Sequence, residues 1–215
     1  MIQHDIINAS ELAGKCQRNW IDEQIDDFDL QTIVNACMNM PTKQNVTMYE
    51  LMVVQKEENI DFLYEHSTVP EHDKTDNDRW RNAQMLAPTV LLWYGSSKNK
   101  NVISEGDFSQ GVINYSTTHM DNIKLNAGIS MGAAALTATQ LGYHTGFYRC
   151  FNTNESIIEF GQRTNPDIES FICALGIGKP KDELPRNIVP KNKNLSKPLK
   201  VNTEEHRKEK IVYYM

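Results

Sequence analysis

Residues 121–151, DNIKLNAGISMGAAALTATQLGYHTGFYRCF, constrain the fold more than any other stretch of the chain. The first two-thirds hold no proline and are crowded with small residues: Ala127, Gly128, Ser130, Gly132, Ala133, Ala134, Ala135 and Ala138. Ile123, Leu125, Ile129, Met131, Leu136 and Leu141 fall on several sides of a helix rather than on one stripe. A helix that is apolar or small all round is buried in a core or an interface. Small side chains let neighbouring backbones approach, at some loss of helix propensity where glycine is used. The pattern predicts a central helix over 121–141 with Gly142 as its left-handed cap. The TGFYRCF run after it predicts an extended return, with Gly146 as a bend.

The flanking segments supply what such a helix packs against. Residues 5–13 predict a short helix ending at Gly14. Asp27 or Asp29 is placed to start a second helix, where negative charge is favourable. Leu30, Ile33, Val34, Cys37 and Met38 then recur on one face, and Pro41 stops the helix. Residues 57–64 predict a helix with Ile60, Leu63 and Tyr64 inward, and residues 154–160 another. The apolar runs 49–54 (YELMVV), 89–94 (TVLLWY) and 171–177 (FICALGI) read as strands. Helices and strands mix without a regular βαβ alternation, which favours an α+β sheet over a doubly wound one. With 215 residues the chain is long enough to bury a full core.

Composition removes several function classes. No apolar run approaches the length that spans a bilayer, and the first residues lack a signal-peptide core. Cys16, Cys37, Cys150 and Cys173 are scattered without a CxxC, as in reduced thiols of a cytoplasmic protein. Residues 1–178 carry 12 Lys and Arg against 23 Asp and Glu, an acidic body that argues against nucleic-acid binding. Residues 179–215 carry 10 against 5, a basic tail suited to a solvated arm, a clamp on the body or a phosphate site. His66, His72, Asp73 and Asp76 share one polar loop, but their spacing fits no helical ligand pair and no cysteine joins them, so no metal site is expected. No GxSxG, P-loop or GxGxxG follows a strand, which removes the motif-based cases for hydrolase, NTPase and dinucleotide-binding dehydrogenase.

A set of polar stations is more informative. KCQRN follows the first helix, PTKQN the second, YRCFN the central helix, and VPKNKN lies in the basic tail. Basic and amide groups at the ends of elements suit a ligand with a planar ring and a phosphate tail.

In this order the stations resemble the FMN-dependent nitroreductase family. The family's opening Arg-Arg-Ser-x-Arg-x-Phe is matched in divergent form by residues 15–20. Its Pro-Ser-x-x-Asn element is matched by Pro41, Thr42, Lys43, Gln44 and Asn45. Its Gly-Ile-x-Met-Gly helix and closing Leu-Gly are matched by residues 128–132 and Leu141-Gly142. The run ALGIGKP resembles the last core strand, and residues 190–193 the basic pair after it. The resemblance implies an α+β, nitroreductase-like fold: a central, mostly antiparallel sheet flanked by helices, in an intertwined homodimer. It implies one FMN-binding domain over 1–195 and an extension over 196–215 that embraces the partner.

The same resemblance implies an oxidoreductase moving hydride from NADH or NADPH, by way of flavin N5, to a small nitroaromatic, quinone or similar acceptor. Lys15, Cys16 and Arg18 would line the FMN phosphate, ribityl chain and pyrimidine edge, with Lys191 and Lys193 at the phosphate. Pro41, Thr42, Lys43 and Asn45 would approach from the partner subunit, and Asn82 would reach the ribityl or pyrimidine oxygens. Phe147, Tyr148, Arg149 and Cys150 would back the ring. No side chain is nominated as nucleophile or general acid, and Cys150 has neither a neighbouring cysteine nor a histidine base. The alternatives within the fold are reductive dehalogenation and flavin fragmentation, with residues 66–82 or 95–120 as a covering loop. A flavin-binding protein without turnover is the third reading. Its motive is the departure of Gly14 and Cys16 from the opening Arg and Ser. Arg149 also departs from the family pattern, where the residue is often small or acidic. It would stabilise reduced flavin, select an acidic substrate, or form an ordinary surface ion pair.

Overall fold

In a computed structural model, residues 2–42, 49–67, 81–96, 115–151 and 153–181 are described. They form helices α1 (Ile2–Ala13), α2 (Asp27–Met38), α3 (Glu57–His66), α4 (Tyr115–Gln140) and α5 (Asn154–Gln162). The strands are β1 (Glu50–Val54), β2 (Thr89–Ser96), β3 (His144–Tyr148) and β4 (Ile168–Gly178). The two most apolar strands lie side by side. Thr89 pairs with Ile177 and Ser96 with Ile168, antiparallel, with register shifts at Trp93/Tyr94 and Gly95/Ser96. β1 adds to the outer side of β2 and β3 to that of β4, giving the order β1-β2-β4-β3 with every pairing antiparallel. The α+β expectation holds. Every residue of β2 is buried, because strands covered on both faces carry apolar side chains in both directions.

Alternate residues of β2 enter two separate cores. Leu91 and Trp93 join Ile33 and Cys37 of α2 and Ile123, Ala127, Ala134 and Ala138 of α4 on one face. Val90, Leu92 and Tyr94 join Ile60, Leu63 and Tyr64 of α3 and Ile157 and Phe160 of α5 on the other. Asp26 caps α2, accepting from the Phe28 and Asp29 N–H groups at 2.9 and 3.3 Å. The helix starts at Asp27 as expected, with Asp29 also in its first turn.

The central helix is longer than the pattern suggested and is not buried all round. Ile123, Ala127, Ala134 and Ala138 face the core, whereas Leu125 is 61% and Ile129 38% exposed, with Gly128 and Gly132 open beside them. Small residues on both faces had masked this one-sidedness. Gly142 ends the helix at φ +90. Tyr143 N–H reaches the Ala138 carbonyl at 2.9 Å and Gly142 N–H that of Thr139 at 3.2 Å, a Schellman closure that glycine enters without strain.

The core sets the behaviour of the thiols. Burial pushes the Cys37 thiol up to about 11 and the Cys173 thiol up to about 12. At pH 8, a thiol reagent is therefore expected to titrate only Cys16 and Cys150 in the native protein, and all four cysteines after unfolding. Raised acid pKa values also mean that the contribution to stability is complete below pH 9 and is lost as pH rises toward 11 and 12. The loss is about 1.4 kcal/mol per group per pH unit. Urea midpoints that stay level between pH 9 and 11 would refute this.

Candidate functional site

The site is built on the free edge of β3. Residues 15–18 leave α1 and lie along that edge, where Gln17 N–H donates to the Thr145 carbonyl at 2.8 Å. Past them, Trp20 bridges to Pro180, and Ile21 N–H donates to the Lys179 carbonyl at 3.0 Å. The Trp20 indole N–H donates to the Ala83 carbonyl at 2.9 Å. Gly146 faces this seam. A Cβ there would stand 2.6 Å from the Gln17 carbonyl oxygen and 3.3 Å from Gln84 Cγ. Glycine is thus required by close approach within the strand, and not as the expected bend.

Gln84, in the short 3-10 turn Ala83–Leu86, fastens the seam from below. Its side-chain amide donates to the Phe147 carbonyl and to Cys16 Sγ, and the Cys16 thiol lies 3.6 Å from the same carbonyl. Pattern reading missed this residue, since a buried amide within AQML leaves no periodic signal. Asn82 is buried and largely committed to local structure. Its Oδ1 accepts from Gln84 N–H at 3.0 Å, and its own N–H donates to Ser67 Oγ at 2.8 Å.

The residues singled out from the sequence separate into groups. Cys16 meets Phe147 directly. Lys15 flanks one end of β3, where burial first and the Lys15 charge second depress the His144 imidazole pKa. Phe147 is 47% exposed, and Arg149 and Cys150 are also exposed. Tyr148 points the other way: it is buried, its hydroxyl donates to the Cys150 carbonyl, and its ring meets Phe151 edge-on at 4.9 Å. It braces the 148–151 turn. Pro41 and Thr42 follow α2, with no hydrogen bond to this seam among the described residues. Lys43, Asn45, Lys191 and Lys193 lie outside the described residues.

Two buried polar atoms at the seam have no hydrogen-bond partner, Gln17 Oε1 and Arg18 Nε. The Gln17 amide nitrogen is satisfied by the Asn19 carbonyl at 2.6 Å, so only its acceptor is open. Leaving a buried polar group unpaired costs about 1–3 kcal/mol, and more for a charged one. An unpaired guanidinium N–H and an unpaired amide oxygen within one short segment that begins at Lys15 are a donor and acceptor set that fits a ligand bearing phosphate and amide-like edges. The chemistry of FMN meets that description. No group of three or more His, Cys, Asp or Glu side chains is placed to hold a metal among the described residues. No described helix is long and apolar enough to cross a membrane.

Comparison with known proteins places the fold. NfrA2 of B. megaterium superposes with a TM-score of 0.63 at 19% identity, over 83% of this chain and 67% of that one. An FMN-dependent nitroreductase of Clostridium difficile gives 0.55 at 16% identity, over 79% and 85%. A nitroreductase-type protein of Desulfovibrio desulfuricans in complex with FMN gives 0.59 at 15% identity, over 82% and 87%. At these identities the likeness is one of fold. No curated protein matches the sequence. The model of the nitroreductase family matches residues 15–179, from the first residue of the seam to the strand end that Ile21 pairs with. The chain belongs to the nitroreductase family.

Proposed function

We propose that this protein is an FMN-dependent oxidoreductase that transfers reducing equivalents from NADH or NADPH to a nitroaromatic, quinone or similar small acceptor. The observation that carries this reading is the seam between residues 15–18 and β3, with Gln17 Oε1 and Arg18 Nε buried and unpartnered in it. FMN, when bound, supplies the two-electron carrier between nucleotide and acceptor, so no side chain needs to act as a nucleophile. Lys15 and Arg18, joined by Lys191 and Lys193, hold the phosphate electrostatically. Gln84 fixes Cys16 and the Phe147 carbonyl in place, which orients the backbone of 147–150 toward the ring. Asn82, whose Nδ2 is not used in its cap, and Tyr148, through the turn it braces, belong to the same wall.

The working unit in this reading is a cytoplasmic homodimer. The open stripe of α4, Leu125, Gly128, Ile129 and Gly132, packs on its symmetry mate, with the glycines allowing close backbone approach. Pro41, Thr42, Lys43 and Asn45 complete the partner's site. Residues 1–195 form the domain and 196–215 reach across.

A visible absorption spectrum of freshly purified protein, followed by anaerobic addition of NADH or NADPH, tests the reading. A flavin spectrum that bleaches supports it, and a protein that cannot be loaded with FMN refutes it. Replacing Lys191 and Lys193 together by alanine is expected to weaken FMN retention roughly tenfold, and more steeply as salt rises. Unchanged occupancy would remove both lysines from the phosphate site.

A further inference from the structure

The charges along the edge of β3 have one sign although residues 1–178 are strongly acidic. Lys15 acts at the start of the strand, on His144, and Arg149 stands just past its end. The run 143–154 contains no Asp or Glu, and Arg149 makes no ion pair among the described residues. The two cationic poles are roughly 16 Å apart along the strand, five residues at about 3.3 Å each. That exceeds the Debye length of about 8 Å at physiological salt, so an anion held at the Lys15 pole leaves the Arg149 charge largely unscreened.

Arg149 also has a definite side. Phe147 pairs with Leu175 and Tyr148 with Ala174, so the next step along the chain faces Cys173, whose thiol feels the Arg149 charge. Leu175 and Cys173 belong to the same face of the sheet. Phe147 and Arg149 therefore share that face, an exposed ring next to an unpaired guanidinium, with the Phe147 carbonyl held by Gln84.

Resting on the flavin-reductase reading, we propose that Arg149 and Phe147 select acceptors that carry a carboxylate on a flat apolar body. The phosphate of the cofactor occupies the Lys15 pole, and the acceptor's carboxylate meets the Arg149 pole. The guanidinium pairs with it through two parallel N–H donors while the ring of Phe147 covers its apolar part.

The test compares 4-nitrobenzoate with its neutral counterpart 4-nitrobenzamide in FMN-loaded protein, read as the ratio of their kcat/KM values. The ratio cancels any effect that a substitution has on the flavin itself. The native protein is expected to favour the charged acceptor by about tenfold or more. R149A should bring the ratio down by about that factor, with partial recovery in R149K. Calorimetric titration supplies a readout independent of turnover: benzoate should bind R149A about tenfold more weakly, with benzamide unaffected. An unchanged ratio, or a rise in KM for NADPH without loss of charge discrimination, overturns the proposal and assigns Arg149 elsewhere. Failure of the native protein to hold FMN overturns the reading beneath it, which the spectrum reports separately.

Discussion

Gly146→Val is expected to lower stability by about 3 kcal/mol and to empty the purified protein of FMN. The nearest atom to a Cβ at this position is the Gln17 carbonyl oxygen at 2.6 Å, and it belongs to backbone that cannot rotate away. The Gln84 side chain blocks the other direction at 3.3 Å. Overpacking of this kind costs about 1–3 kcal/mol. Displacing residues 15–18 also removes the Gln17 to Thr145 hydrogen bond, worth about 1 kcal/mol. Lys15, Cys16 and Arg18 then lose their register with β3, so under the proposed function FMN binding fails even in molecules that remain folded. Urea denaturation and the ratio of flavin to protein absorbance measure the two effects. A valine variant with native flavin content would show that the seam does not form the cofactor site.

Trp93→Ala is expected to cost about 4 kcal/mol with little change in flavin content per folded molecule. Trp93 is fully buried between the sheet and α4, and its indole N–H donates to Ser130 Oγ at 3.0 Å. Truncating a buried aromatic of this size removes its transfer free energy and leaves a cavity, together about 3–5 kcal/mol. It also strips Ser130, which is itself buried, of one partner. Trp93→Phe separates the contributions: most of the volume returns, and about 1–2 kcal/mol for the lost hydrogen bond remains. Because β4 stands between β2 and β3 in the sheet, the seam of residues 15–18 on β3 is expected to survive the loss. Chemical denaturation of the two variants decides it, and a phenylalanine variant as unstable as the alanine one would contradict the cavity account.

The two predictions map onto what was legible before the fold was known. TVLLWY and FICALGI announce themselves because strands covered on both faces are continuous apolar runs bounded by Pro88 and by Gly178-Lys179-Pro180. Ile60, Leu63 and Tyr64 announce α3 by helical spacing, and all three are buried. Strand order was not legible, since β4 inserts between β2 and β3 and nothing local records a partner some eighty residues away. The orientation of α4 was hidden because small residues line both its core face and its open stripe. At the site, Cys16 and Phe147 were found together because motif order placed both. Gln84 was not, and Gly146 was given the wrong reason. Both depend on a third segment crossing at van der Waals distance, a relation that exists only after folding.

The position of β4 has a consequence for how the molecule is made. It is the last strand of the described residues and the only one that touches both β2 and β3. On the ribosome, β1 and β2 can pair as a hairpin-like ribbon while β3 emerges with no neighbour to receive it. Residues 15–21 wait longer still, since Ile21 and Trp20 close on Lys179 and Pro180. The nascent chain must therefore keep its first and third quarters unsatisfied until the last core strand clears the exit tunnel. Such long-range closure is slow and leaves apolar strands exposed during synthesis. Chains truncated before Ile168 should accumulate as aggregates or chaperone-bound species, with no stable smaller domain among them.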